Sequence, residues 1–245
     1  MTMKPRFALT ALLAALALGP AVAQEKSAEA PPKVEDAANA DITTAEDFFA
    51  KAAERYAQIQ DYEGRISITT GKYAMTGTIA FKSPNLLRID FTQPAGQVIS
   101  YDGAVLAVYI PEYRAILQQQ IGDKPGAASA KLATAEGLKT MRRSYFVAYE
   151  SVPEPLPLAE GSAEKAVRLV LNRKSVAEGF KTIRLFVNPD SLIIRRMIGT
   201  ALSGDEIAFD FEQVRTNIGI PAARFAYESP ASANVYNNFL FKSEE

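Results

Sequence analysis

The sequence predicts a mainly β (α+β) protein, one long antiparallel meander with two helices laid against it. Three observations carry that prediction. From Phe81 to Ile121, short runs of alternating apolar residues follow one another with turn residues between them. From Val167 to Phe211 the same period-two alternation returns. Between Thr44 and Ile59 the apolar residues instead recur at helical spacing.

The chain begins with a secretory signal pattern. Lys4 and Arg6 form a basic start, Phe7 to Leu18 an apolar run, and Ala21-Val22-Ala23 a small-residue cleavage motif. The apolar run is too short for a spanning helix, which needs ~20 residues. Cleavage near Ala23 and export to the periplasm are therefore expected. Removing the first 23 of 245 residues leaves 222, enough for a sizeable core. Of 27 basic residues, Lys4 and Arg6 go with the signal; 25 remain against 28 acidic, a net charge of −3. That balance suggests no nucleic-acid partner. No cysteine is present, so neither a disulfide framework nor a lipid-modified N-terminal cysteine is available.

Residues 24–41 (QEKSAEAPPKVEDAANAD) carry almost no large apolar side chain and read as a disordered leader or a partner-docking arm. Residues 42–245 then read as one domain. Thr43 and Thr44 each precede an acid by three residues, the spacing of a capping box. Phe49, Ala52 or Ala53, Tyr56 and Ile59 share one face of the helix that follows. Tyr62 to Ile68 and Met75 to Phe81 alternate as two strands around Gly71-Lys72. Leu87, Ile89 and Phe91 form a third, Gln97 to Tyr101 a fourth, and Asp102-Gly103 favours a tight two-residue hairpin into Ala104 to Ile110. Ala115 to Ile121 follows.

The pattern then breaks. Residues 122–130 read as a loop, Ala130 to Arg143 as a helix with Leu132, Leu138 and Met141 on one side, and Tyr145 to Tyr149 as a strand. Pro153, Pro155 and Pro157 forbid regular structure and predict an extended loop, so that 130–157 forms a helix-plus-proline insertion. Strands return through Val167, Leu169 and Leu171, then Ile183, Leu185 and Val187, a turn at Asn188 to Ser191, Leu192 to Ile198, and Ile207, Phe209 and Phe211. Phe239, Leu240 and Phe241 form a small apolar cluster expected to dock back on the domain.

Ser83-Pro84-Asn85-Leu86, Thr92-Gln93-Pro94, Asp102-Gly103 and Tyr109-Ile110-Pro111 occur in an order and spacing that resembles the outer-membrane lipoprotein carrier (LolA-like) family. Val214 to Pro230 is similar to that family's C-terminal signature. The resemblance covers roughly residues 43–121 and 165–232. It implies an incomplete, strongly curved antiparallel β-barrel with helices covering its mouth. It further implies a basic residue near Pro84 that holds the lid helices closed; here Ser83 stands directly before Pro84 and Lys82 one place earlier.

Catalytic chemistry finds little purchase. Histidine and cysteine are absent, which removes the commonest general base, the thiolate nucleophile and the preferred zinc or copper ligands. No nucleophile elbow, Walker loop or dinucleotide fingerprint is present. Asp90, Asp190 and Asp210 read as strand-face or turn residues, and Asp102 as the hairpin-turn residue or, alternatively, a contact to a ligand headgroup. No enzyme activity, cofactor or metal is expected. Tyr101 and Tyr109 flank the hairpin and read as half-buried strand tyrosines or as part of a cavity mouth.

A long sheet with one apolar face must cover it, because each large side chain left in water forgoes ~1.5–3 kcal/mol. The residues expected to face inward and line an acyl-chain cavity are Phe49, Tyr56, Met75, Ile79, Phe81, Leu87, Ile89, Phe91, Leu106, Val108, Leu185, Met197 and Phe209. Ile68, Leu169, Ile183 and Phe211 join them. Taken singly, each reads as plain core; the resemblance turns the set towards a lipid cavity. It implies a monomeric carrier that takes acylated lipoproteins from an inner-membrane ABC exporter to an outer-membrane receptor or bilayer. The alternatives are a periplasmic sensor or regulatory protein, or a glycolipid carrier, using the same cavity.

Overall fold

The computed structural model describes residues 43–120, 134–176, 179–228 and 230–237. The expected signal sequence, leader, 122–130 loop, first residues of the 130–143 helix and Phe239–Phe241 cluster lie outside them.

Helix α1 spans Ala45–Ala57 and starts where the sequence says it should. Thr44 is its N-cap: the Asp47 N–H donates to Thr44 Oγ1 at 3.1 Å, and the Thr44 hydroxyl donates to Asp47 Oδ2 at 2.7 Å. Six strands follow: β1 (Asp61–Thr70), β2 (Tyr73–Lys82), β3 (Leu86–Gln93), β4 (Val98–Tyr101), β5 (Val105–Ile110) and β6 (Ala115–Gln120). Helix α2 (Ala135–Ser144) runs straight into β7 (Tyr145–Tyr149). Then come β8 (Leu156–Pro157), β9 (Lys165–Arg173), β10 (Phe180–Val187), β11 (Ile194–Ala201), β12 (Glu206–Thr216) and β13 (Asn234–Asn237).

The strands build one large, curved, unclosed sheet in the order β13-β6-β5-β4-β3-β2-β1-β12-β11-β10-β9-β7, with β8 beside β9. Every pairing is antiparallel except β13 on β6, which is parallel. The two meanders read from the sequence meet along β1 and β12, in a ladder running from Tyr62↔Thr216 to Thr70↔Ile207. That junction makes them one sheet.

Several local expectations change. The β4–β5 connection is longer than two residues, since Tyr101 pairs with Leu106. Asp102 still makes the turn, but as a side-chain acceptor: its Oδ1 takes the N–H of Ala104 at 2.9 Å and of Val105 at 2.8 Å, while Gly103 supplies φ 96°. The proline segment is not wholly irregular, because Leu156 and Pro157 pair with Ala166 and Lys165. Proline is tolerated there because β8 is a two-residue strand outside the main strand order. Helix α2 begins at Ala135, behind the cap that Thr134 Oγ1 offers the Gly137 N–H at 3.1 Å. Strand β11 starts at Ile194 because Leu192 turns the chain with φ 59°.

Beyond β12 the chain crosses the convex face of the sheet as a strap. Ile220 and Phe225 pack on Ala80 and the partly buried Leu86, forming a small second core. Ser100 donates to Phe225 O at 2.8 Å, Arg88 to Ala226 O at 2.9 Å, and the Arg224 guanidinium meets Asp90 at 2.6 Å. Burial alone would raise the Asp90 pKa, but the guanidiniums of Arg88 and Arg224 outweigh it and hold the carboxyl below its usual value. Lys82 joins this outer face. Its Nζ donates to Ile220 O at 2.8 Å and lies 3.9 Å from Asp61, so it fastens the strap rather than latching the helices.

Candidate functional site

Register assigns the faces of the sheet. Residues directly opposite one another share a face, and Gly77↔Phe91, Ile79↔Ile89, Phe81↔Leu87, Leu87↔Tyr101, Tyr101↔Leu106 and Ile99↔Val108 carry one apolar face across β2 to β5. Ile68↔Met75 and Ile68↔Phe209 carry it through β1 to β12, and Phe209↔Met197, Met197↔Leu185 and Leu185↔Leu169 on to β9. The face is therefore continuous from β5 to β9.

Both helices pack on it. Phe49, Ala52 and Tyr56 of α1 and Leu138 and Met141 of α2 belong to the same buried cluster as the sheet residues. All thirteen residues expected to face inward lie in that cluster, each buried. Phe49 is 1% exposed, and Leu106 and Val108 are at 0%. The helices and the sheet thus fill each other's apolar faces. Sequence reading did not single out Ile99, Tyr145, Phe180 and Ile194, which are buried in the same cluster. Tyr101 is inward and 2% exposed, its hydroxyl donating to Gly103 O at 2.9 Å. Tyr109 is not: it pairs with Val98 and meets Tyr227 on the convex side at 6.1 Å between ring centroids.

Few polar bonds hold α1 down. The Ile194 N–H donates to the Tyr56 hydroxyl at 3.2 Å, Arg55 donates to Thr216 Oγ1 at 3.2 Å, and the Tyr149 hydroxyl donates to Thr43 O at 2.7 Å. Burial pushes the Tyr56 pKa up to about 12 and the Tyr62 pKa higher still, so both phenols stay neutral at any ordinary pH. The interface offers dispersion and burial, with scarcely any charge.

Among the described residues no group of three or more His, Cys, Asp or Glu side chains could hold a metal. None of the described helices is long and apolar enough to cross a membrane. A polar groove of about 540 Å³ lies elsewhere, lined by Glu63, Gly64, Arg65, Thr78, Gln213 and Arg215. Glu63, Arg65 and Thr78 alternate with the inward residues of β1 and β2, so the groove opens on the convex side.

Comparison with known proteins agrees with this architecture. The chain is 24% identical over 160 residues to an outer-membrane lipoprotein carrier protein of Dechloromonas aromatica (strain RCB), covering 65% of this chain and 70% of that one. Over 172 residues it is 24% identical to the protein of the same name from Leptothrix cholodnii, covering 67% and 70%. An uncharacterized conserved protein from Thermus thermophilus shares the fold, with a TM-score of 0.51 at 12% identity over 77% of this chain and 98% of that one. Residues 55–228 match the family described as outer membrane lipoprotein carrier protein LolA, and with that span matched the chain belongs to this family.

Proposed function

We propose that this protein is a periplasmic carrier that sequesters the acyl chains of lipoproteins between its sheet and its two helices and hands them on towards the outer membrane. The observation that carries the reading is the continuous apolar face from β5 to β9, covered by helices that are tied to it mainly by apolar contact. Acyl chains can replace the helices on such a face. Each buried CH₂ contributes ~0.8 kcal/mol, whether helix or lipid supplies it. Exchanging one apolar cover for another keeps the net free energy small. A carrier needs that balance, because it must extract its cargo from one membrane and still release it at the next.

On this reading α1 and α2 form the lid, the thirteen inward residues contact the chains, and an inner-membrane exporter and an outer-membrane acceptor stand at either end of the route. The protein performs no catalysis. The test is native mass spectrometry of the protein purified from a periplasmic extract, with the bound species identified. A polypeptide with an acylated N-terminal cysteine is the expected result. A free glycolipid would leave the cavity and change the cargo. A protein that arrives empty and also takes up no fluorescent fatty acid would overturn the carrier reading.

A further inference from the structure

Two buried donors on the concave face lack a partner among the described residues: Gln97 Nε2 and Arg173 Nη1. Gln97 is 4% exposed. The Phe91 N–H donates to Gln97 O at 2.9 Å, one step beyond the Asp90↔Val98 pair, which sets Gln97 opposite inward-facing Phe91. Arg173 stands opposite Tyr145, itself inward and buried. The antiparallel order puts both donors at one end of the sheet. That end carries the β1–β2 and β3–β4 turns, whereas the Tyr56 bond to Ile194 ties α1 at the other.

A buried donor without an acceptor is rare and destabilising, and in native structures it has a cause. We propose that these donors receive the carbonyl oxygens at the head of an acyl chain, with Gln97 the principal one. The inference rests on the carrier reading above and adds to it. The ligand is an acyl ester or amide rather than any hydrocarbon of the right size, and it lies with its head at the turn end and its chain directed towards α1. Gln97 suits this role chemically. A primary amide donates well to an ester carbonyl, stays uncharged, and leaves the apolar face free of a fixed charge.

The experiment compares two probes of equal chain length, 1-decanoylglycerol (an ester) and 1-decylglycerol (the matching ether, with no carbonyl), on the full chain and on Gln97→Met and Arg173→Met. The native protein should bind the ester about five- to tenfold more tightly, the ratio one hydrogen bond gives. Gln97→Met should abolish that ratio through a loss of ester affinity, and Arg173→Met should reduce it. Gln97→Met should also keep or raise the Tm of the empty protein, because it removes an unpaired donor. Equal binding of both probes by the native protein would overturn the proposal and leave the cavity standing. So would an ester preference that survives in Gln97→Met. If neither probe binds, the carrier reading itself fails, and this inference with it.

Discussion

The backbone N–H of Ile194, at the start of β11, donates to the Tyr56 hydroxyl on α1 at 3.2 Å, in a site sealed from water. This bond ties the last turn of the helix to the sheet. Tyr56→Phe keeps the ring and removes the acceptor, leaving a buried N–H unpaired at a cost of about 1–3 kcal/mol. The expected outcome is a Tm lower by several degrees and faster amide exchange in α1. Stability should also depend on alkaline pH. Tyrosine is charged only when deprotonated, and the folded Tyr56 pKa lies above its ordinary 10.0, at about 12. Its contribution is therefore whole below pH 10 and drains away between pH 10 and about 12. Chemical denaturation across that window should show a smaller fall for Tyr56→Phe than for the native protein.

Asp61 fastens the C-terminal strap. Its buried carboxylate accepts the N–H groups of Ile218 at 2.7 Å, of Gly219 at 3.1 Å and of Ile220 at 3.1 Å, with Lys82 Nζ 3.9 Å away. Asp61→Ala leaves all three donors without that acceptor and should destabilise the fold by roughly 3 kcal/mol. Asp61→Asn keeps one carbonyl oxygen and should lose less. Amide exchange at residues 218–220 is the direct readout; unchanged protection there in Asp61→Ala would mean the carboxylate does not hold the strap.

How far the sequence reveals this molecule depends on the range of the interaction. Alternation is local, so the faces of β2, β3 and β5, and with them Phe81, Ile89 and Val108, are legible from spacing. Parity alone separates Tyr109 from its neighbours: with Leu106 and Val108 inward, Tyr109 faces outward. The strap is different. Residues 217–227 have no periodicity, and what fixes them lies far off in the chain, at Asp61, Lys82, Arg88 and Ser100. Gln97 is hidden for a related reason. It follows a Pro-Ala-Gly turn and its type suggests solvent, although it shares the parity of inward Tyr101 in the strand Gln97 to Tyr101; the bond from the Phe91 N–H to Gln97 O agrees with that parity.

Gly77 shows how closely β2 and β3 approach. A Cβ there would stand 2.3 Å from Asp90 O and 2.8 Å from Phe91 Cα, both backbone atoms that cannot swing aside. Gly77→Ala must push the strands apart beside the Thr76/Gly77 irregularity and displace Phe91 from the concave face. A loss of about 3 kcal/mol is expected, the upper end for overpacked buried sites, because the obstructing atoms are backbone. A Tm within about two degrees of the native value would mean the strands part easily here.

Phe49 tests whether α1 is a lid or simply core. It is the most buried large side chain of that helix, 1% exposed and packed into the cluster that spans the sheet. Phe49→Ala should remove about 3–5 kcal/mol of packing. If α1 and the sheet unfold as a unit, that loss appears everywhere, as a uniform rise in amide exchange across β1 to β12. A lid gives a different pattern. The loss stays in α1 and in α2 against it, the β1–β12 ladder keeps its protection, and a fluorescent acyl probe exchanges faster. Phe49→Asp carries the argument further, because a carboxylate under α1 favours the open helix and repels apolar chains from the exposed face. Acyl binding should be lost while the sheet stays folded by circular dichroism. Intact acyl binding in Phe49→Asp would remove α1 from the gate.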